Sequence, residues 1–167
     1  MEETAYAPIL HHLAENNLDV CLVSMPCRFA ILGINKADSV LQNYDYVHCF
    51  MGGHSLGGAM ASEYASTHGD KIDGVILLAA YASEELDDDM LEMVIYGTED
   101  RVLSRNKIEE GKEKATNHYI ELCIEGGNHA QFGNYGDQSG DGTALITAEE
   151  QQSETIRTIV KAIRDYK

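Results

Sequence analysis

A serine between glycines, set between a predicted strand and a predicted helix, is the feature that most constrains this chain. Residues 46–52 read YVHCFMG and are mostly apolar and rich in β-formers, as is typical of a buried parallel strand. Residues 53–57 read GHSLG, which fits the pattern G-x-S-x-G, and residues 58–65 (GAMASEYA) predict a helix of small residues. In this context Ser55 lies on a sharp, strained turn, where flanking glycines remove Cβ atoms that would clash. The following helix directs its positive N-terminal end at the same point.

Strands and helices are predicted to alternate along the rest of the chain. This alternation indicates an α/β domain with a parallel sheet, and in such sheets functional residues gather at the carboxyl ends of the strands. No internal repeat or linker interrupts the pattern, so we expect a single domain over residues 1–167. Apolar runs predict further strands at residues 18–25, 74–80, 91–96 and 118–124, and helical spacing predicts helices at residues 2–16, 37–42, 107–115 and 148–166.

Three of the predicted strands end in residues with reactive side chains. Ser55 follows the strand predicted at residues 46–52, Asp100 follows the strand at residues 91–96, and His129 follows the strand at residues 118–124. A serine nucleophile needs a base to take its proton, and that base needs a carboxylate to fix its tautomer and stabilise its charged form. The sequence therefore predicts a Ser-His-Asp triad, with its members in the chain order Ser, Asp, His.

Other residues near the predicted triad have competing interpretations. Glu99 directly precedes Asp100 and is the alternative acid, although we favour a solvated surface role for it. His54 lies within the serine turn, where we expect it to shape or line the site rather than act as the base. The remaining histidines lie in a helix, in mid-strand or beside polar loops and are interpreted as structural or exposed: His11, His12, His48, His68 and His118.

Several sequence runs resemble a known superfamily. Residues 53–58 (GHSLGG), 96–100 (YGTED) and 126–129 (GGNH) together resemble the α/β-hydrolase superfamily. The longer run GGNHAQFG at residues 126–133, with GDG at residues 140–142, is similar to bacterial hydrolases of the "alpha/beta hydrolase fold-5" type. The resemblance implies a three-layer α/β/α sandwich with a mostly parallel sheet and a serine hydrolase that needs no metal and no cofactor.

The resemblance extends to the N-terminal part of the chain but also departs from it there. Residues 5–8 (AYAP) and 25–26 (MP) match the same group. In that group a strand with a Pro-Gly-Gly-type loop precedes residues 5–8 and gives the second N–H of the oxyanion hole, the first being that of Leu56. Because the chain begins at Met1, we expect a fold without its first strands, and also without the membrane anchor that relatives often carry. Three outcomes stay open for the resulting gap in the sheet: the neighbouring strands pair directly, another chain such as a second copy in a homodimer fills the gap, or the strand edges stay open.

These observations predict a serine hydrolase that cleaves an ester-type acyl bond through an acyl-enzyme. His129 deprotonates Ser55, which attacks the carbonyl carbon, and Asp100 stabilises the imidazolium. Thioester or peptide substrates require the same triad, so they stay open as alternatives. A second alternative is a weakly active or inactive hydrolase-fold protein with a binding or structural role, because loss of one oxyanion donor typically costs about 10²–10³-fold in rate.

The expected substrate is a small ester-like molecule, and three residues are candidates for its pocket. Met25 ends the strand predicted at residues 18–25 and Arg28 follows it, while His54 precedes the predicted nucleophile. Arg28 would pair with an acidic substrate group, although a plain surface arginine is the alternative. Residues 81–89 lie where such hydrolases often insert a lid, and their shortness predicts an open site.

Composition limits the classes of binding partner and the cellular compartment that we expect for this chain. The net charge of −16 disfavours nucleic acid and anionic membranes as partners. Residues 84–89 (EELDDD) concentrate part of this charge and are interpreted as a solvated loop, with a metal site as the lesser alternative. No signal peptide or membrane span is visible, so we expect a soluble and, by default, cytoplasmic chain. The cysteines lack C-x-x-C spacing and are interpreted as small buried hydrophobes: Cys21, Cys27, Cys49 and Cys123.

Overall fold

A computed structural model describes residues 3–23 and 30–166 of the chain. Within these ranges four parallel strands form one sheet, in the order β1-β2-β3-β4, with flanking helices. This architecture confirms the predicted α/β class. The strands are β1 (Phe50–His54), β2 (Gly74–Leu78), β3 (Leu91–Gly97) and β4 (His118–Ile124). The α-helices are α1 (Ala7–Glu15), α2 (Asp38–Leu41), α3 (Leu56–Ser66), α4 (Arg105–Lys112) and α5 (Ala148–Asp165), with 3-10 helices at Glu3–Tyr6, Ala30–Ala37 and Ala130–Phe132.

The two central strands are the most deeply buried part of the sheet. Every residue of β2 and of β3 is buried, as their nearly continuous apolar sequences predict for parallel strands covered on both faces. Gly74 pairs with Leu91 and Leu78 with Ile95, which fixes the register between these strands. β1 and β4 lie at the two ends of the strand order and are mostly half-buried.

The described residues group into two compact units, the first of which contains residues 3–23, 96–102 and 123–166. Within this unit α1 packs against α5, and α5 also packs against the 3-10 helix Ala130–Phe132. Helix α5 begins with a capping box, because Thr147 accepts from the Glu150 N–H while the Glu150 carboxylate accepts from the Thr147 N–H at 2.8 Å. The core of this first unit contains apolar residues of α1 and α5: Ile9, Leu13, Ile156, Ile159 and Val160.

The second unit contains residues 30–95 and 103–122. Helix α3 packs on β1, on β2 and on the 3-10 helix Ala30–Ala37. The Tyr64 side chain of α3 is 1% exposed, and its hydroxyl donates to Asp38 Oδ1 at 2.6 Å. This bond anchors α2 to the helix that follows the predicted nucleophile.

Two predicted strands differ from the structure. The strand predicted at residues 18–25 is wrong over residues 18–23, which form no strand and leave Val20 and Leu22 exposed. An apolar run becomes a strand only where a neighbouring strand takes its backbone hydrogen bonds. The strand predicted at residues 46–52 is shifted to Phe50–His54. The first residue of β2, Gly74, pairs with Phe50, so the pairing of β1 with β2 starts at Phe50 and not at residue 46.

The cysteine interpretation is also corrected. Cys21 and Cys123 are exposed and Cys49 is half-buried, so these three are not buried hydrophobes. Cys123 lies in β4, where most residues are only half-buried because the strand lies at the end of the sheet. Cys27 lies outside the described residues.

Three sequence-based expectations concern the protein surface. Residues 84–89 form an exposed loop in which only Leu86 is buried, so the solvated interpretation is confirmed. Over the described ranges, no cluster of three or more histidine, cysteine or acidic residues is arranged to hold a metal ion. Within the same ranges, every helix is too short or too polar to cross a membrane.

Candidate active site

Ser55 lies at a sharp junction between strand β1 and helix α3. Its backbone has φ 55° and ψ −124°, a left-handed conformation that is unusual for a residue with a side chain. The Ser55 N–H donates to the Leu78 carbonyl at 2.9 Å, while the Ser55 carbonyl accepts from the N–H groups of Gly58 and Ala59. The residue is thus bonded to strand β2 on one side and to the first turn of α3 on the other. The sequence prediction of a strained turn is confirmed.

The glycines around Ser55 are not equally constrained. A Cβ at Gly53 would lie 2.3 Å from the Gly57 carbonyl group, and a Cβ at Gly58 would lie 2.5 Å from the Ala80 Cβ. A Cβ at Gly57 would meet nothing within 4 Å. Close backbone approach therefore requires glycine at positions 53 and 58, whereas the prediction of a clash at the second glycine of G-x-S-x-G is wrong.

Asp100 and His129 form a buried pair in the first unit. The His129 Nδ1–H donates to Asp100 Oδ2 at 2.9 Å, and the two side chains are 1% and 0% exposed. The other carboxylate oxygen, Oδ1, accepts from the Val102 N–H at 2.9 Å. A buried carboxylate on Nδ1 fixes the histidine tautomer that leaves Nε2 as the basic nitrogen. The structure therefore brings together two of the three residues of the predicted triad.

The loops that carry Asp100 and His129 are joined to each other by two hydrogen bonds. The Glu99 N–H donates to the Gly127 carbonyl at 2.8 Å, and the Gly126 N–H donates to the Thr98 hydroxyl at 2.8 Å. A Cβ at Gly97 would lie 2.1 Å from the Gly127 carbonyl group, so the two backbones touch at that point. The side chain of Glu99 is half-buried and accepts from the Thr98 hydroxyl at 3.3 Å, while Asp100 is the acid bonded to His129.

Two side chains to which the sequence assigns no role, Gln151 and Asn128, hold the loop that carries His129 through hydrogen bonds to its backbone. The fully buried Gln151 of α5 bonds both backbone groups of Asn128: its Oε1 accepts from the Asn128 N–H at 3.0 Å, and its Nε2 donates to the Asn128 carbonyl at 2.8 Å. The Asn128 side chain in turn accepts from the Gln131 N–H at 3.1 Å. A glutamine on the apolar face of an amphipathic helix is the sequence signal for such a role, since a buried amide needs partners.

Two tyrosines flank the same loop. A Cβ at Gly133 would lie 2.9 Å from the Tyr135 ring and 3.0 Å from the Tyr6 ring, so both rings close over this glycine. Burial raises the pKa of Tyr6 to about 12. Burial also raises the pKa of Tyr135, and the charges of Asp141 and Asp100 add to that effect. Both hydroxyls therefore stay neutral at physiological pH.

The remaining predicted site residues are placed differently. Leu56 is the first residue of α3 and is 44% exposed, and the first N–H groups of a helix have no partner within that helix. His54 ends β1 and is buried at 8% exposure. Met25 and Arg28 lie outside the described residues, so their predicted contact with substrate stays a prediction.

Comparison with solved structures gives the same fold. A predicted CIB-like hydrolase from Thermoplasma acidophilum superposes with a TM-score of 0.56 at 18% identity, covering 79% of this chain and 60% of that one. An alpha-beta serine hydrolase homologue from Coxiella burnetii gives a TM-score of 0.60 at 11% identity, covering 90% of this chain and 76% of that one. At these identities the likeness concerns the fold alone. The chain spans 60% of the length of the Thermoplasma protein.

Comparison at the level of families is more specific. No curated protein matches the chain. The family model described as "Alpha/beta hydrolase family" matches residues 1–153, which include the serine turn, the Asp100 loop and the His129 loop. The chain therefore belongs to the alpha/beta hydrolase family.

Proposed function

We propose that the chain is a serine hydrolase that cleaves an ester-type bond of a small molecule through an acyl-enzyme. Ser55 is the nucleophile, His129 the general base and Asp100 the carboxylate that orients it. The observation that carries this proposal is the buried bond of 2.9 Å between His129 Nδ1 and Asp100 Oδ2. Family membership and the strained conformation of Ser55 support it.

The first half of the reaction forms the acyl-enzyme. His129 Nε2 takes the proton of the Ser55 hydroxyl, and Ser55 Oγ forms a bond to the carbonyl carbon of the substrate. The negative charge on the substrate oxygen is stabilised by the Leu56 N–H at the start of α3, where the helix dipole is positive. His129 then gives its proton to the leaving oxygen as the carbon–oxygen bond breaks, which releases the alcohol.

The second half uses the same groups on water. His129 takes a proton from water, the resulting hydroxide attacks the acyl carbon, and Ser55 Oγ leaves with the proton that His129 returns. Asp100 stays ionised throughout and stabilises the transient imidazolium. Ester, thioester and peptide bonds share these steps, so matched substrates with one acyl group and three leaving groups would rank the three bond types.

A fluorophosphonate probe tests the proposal without knowledge of the substrate. The probe phosphonylates only a serine that a base and an oxyanion site have already activated. We expect intact-mass analysis to show one added probe on the wild-type chain, with loss of labelling in Ser55→Ala and His129→Ala. Peptide mapping should place the adduct on Ser55. A folded wild-type chain that resists the probe would refute the proposed activity.

A further inference from the structure

We infer that Asp141 is a positioning residue that holds the loops of Asp100 and His129 in register through their backbones. The inference rests on the proposed function for its catalytic meaning, but the Asp100–His129 bond itself is measurable without activity. Asp141 belongs to the sequence Gly140-Asp141-Gly142, in a loop between the 3-10 helix Ala130–Phe132 and α5. The proposed reaction assigns it no chemical step.

One carboxylate contacts three segments of the first unit. Asp141 Oδ2 accepts from the N–H of Ala130, the residue directly after His129, at 2.9 Å. Asp141 Oδ1 accepts from the N–H of Arg101, the residue directly after Asp100, at 3.4 Å. The same oxygen accepts from the Gly142 N–H at 2.8 Å, which fixes the side chain relative to its own loop. The carboxylate thus bridges the residues next to each member of the pair.

The backbone around Asp141 is held against the same two loops by independent contacts. A Cβ at Gly142 would lie 2.1 Å from the carbonyl oxygen of Glu99, the residue before Asp100, so this approach is open only to glycine. The Asn128 Nδ2 donates to the Gly142 carbonyl at 2.8 Å, and Asn128 precedes His129. The loop at residues 141–142 therefore contacts the backbone or side chain on both sides of Asp100 and of His129.

The charge of Asp141 suits its three partners, because the Ala130, Arg101 and Gly142 groups that it accepts from are all backbone N–H donors. An ionised carboxylate accepts on both oxygens, and bonds to an ionised acceptor are about twice as strong as neutral ones. An asparagine has one accepting oxygen and an NH₂ group that would face an N–H donor. Displacement of a catalytic group by about 1 Å can cost about 10²-fold in rate. We therefore expect Asp141 to act on the alignment of His129 rather than on substrate binding.

The test compares Asp141→Asn and Asp141→Ala with Asp137→Ala. Asp137 is an exposed carboxylate in the same loop and serves as the matched control. The first readout is the low-field NMR resonance of the His129 Nδ1–H, assigned by its loss in His129→Ala. We expect both Asp141 variants to shift or broaden it, with Asn as the milder change, while Asp137→Ala leaves it unchanged. The second readout is the fluorophosphonate labelling rate, expected to fall about 10²-fold in Asp141→Ala.

The outcomes separate this inference from the proposed function. A wild-type chain that resists the probe but loses the resonance on Asp141 substitution would refute the hydrolase proposal and keep the positioning role. Asp141 variants that fold and keep both the resonance and the labelling rate would overturn the inference. So would global unfolding of both Asp141 variants in thermal melts, because Asp141 would then be a determinant of the fold. Absence of the resonance from the wild-type chain would remove the pairing on which the inference stands.

Discussion

At the scale of single residues, Glu92 is an ionisable group whose burial opposes its charged form. It lies in β3, is 4% exposed, and its Oε2 accepts from the Thr116 N–H at 3.2 Å. Burial raises the pKa of Glu92, and the bond from Thr116 offsets part of that rise. A carboxyl with a raised pKa binds its proton more tightly in the folded chain than in the unfolded chain. Its contribution to stability is therefore present below the unfolded pKa and is lost as pH rises through the folded pKa.

We expect Glu92→Gln to remove this loss. Glutamine keeps an oxygen for the Thr116 N–H but carries no charge, so the variant should gain stability over the wild type as pH rises above about 4.5. Urea unfolding from about pH 5 to about pH 8 gives the free energy of unfolding for both chains. Glu63→Gln, at an exposed position of α3, is the control and should leave the pH dependence unchanged. Parallel pH profiles for Glu92→Gln and wild type would contradict the prediction.

At the scale of elements, the serine turn requires a close backbone approach at Gly53 but not at Gly57. We expect Gly53→Ala to destabilise the protein by about 1–3 kcal/mol or more, because its Cβ would lie 2.3 Å from the Gly57 carbonyl group. Gly57→Ala has open space and lies in the first turn of α3, so it should be neutral or stabilise by up to about 1 kcal/mol. Thermal and urea unfolding of the two variants measure the difference.

The same pair of variants separates packing from chemistry. Gly57→Ala should also keep the fluorophosphonate labelling rate within a few-fold, whereas Gly53→Ala should lower that rate, because its added Cβ displaces the turn that carries Ser55. Equal destabilisation by both variants would contradict the prediction, because the chain-entropy effect of Gly→Ala is stabilising and only the contact at Gly53 distinguishes the two positions.

The sequence predicts best those elements that have a clear hydrophobic pattern within their own residues. β2, β3 and β4 were expected within two residues of their bounds, because continuous apolar runs are typical of parallel strands. The sequence also predicts helix α5, from the apolar face formed by Ile156, Ile159, Val160 and Ile163. Since functional residues follow strand ends in such sheets, the predicted ends of β3 and β4 also identify Asp100 and His129 as candidate site residues.

The elements that the sequence misses depend on residues far away in the chain. Residues 18–23 are as apolar as a strand, but strand formation needs a partner that local sequence does not specify. Asp141, Asn128 and Gln151 support the site through backbone bonds to residues up to 40 positions away, as between Asp141 and Arg101. Gln151 has a local signal, as a buried amide on the apolar face of α5, but a polar loop residue such as Asn128 or Asp141 carries no local signal of its bonded partner.

At the scale of the whole molecule, excess negative charge opposes the compact state. The chain has 28 acidic and 12 basic residues, which gives a net charge of −16. Part of this charge lies in the exposed loop at residues 84–89. Surface ion pairs such as Lys107–Glu110, at 2.7 Å, offset little of it, since exposed pairs contribute about 0–1 kcal/mol each. Self-repulsion of like charges should therefore dominate the response to salt.

We expect the melting temperature to rise as NaCl increases from about 10 mM to about 150 mM, where the Debye length falls from about 30 Å to about 8 Å. Relief of about 1 kcal/mol of repulsion corresponds to about 2–4 °C for a chain of this length. Differential scanning calorimetry at fixed pH measures the shift. The double variant Glu84→Gln/Glu85→Gln removes two exposed negative charges from the loop and should show a smaller rise. A melting temperature that falls with salt would mean that attractive ion pairs, rather than net repulsion, control the electrostatic part of stability.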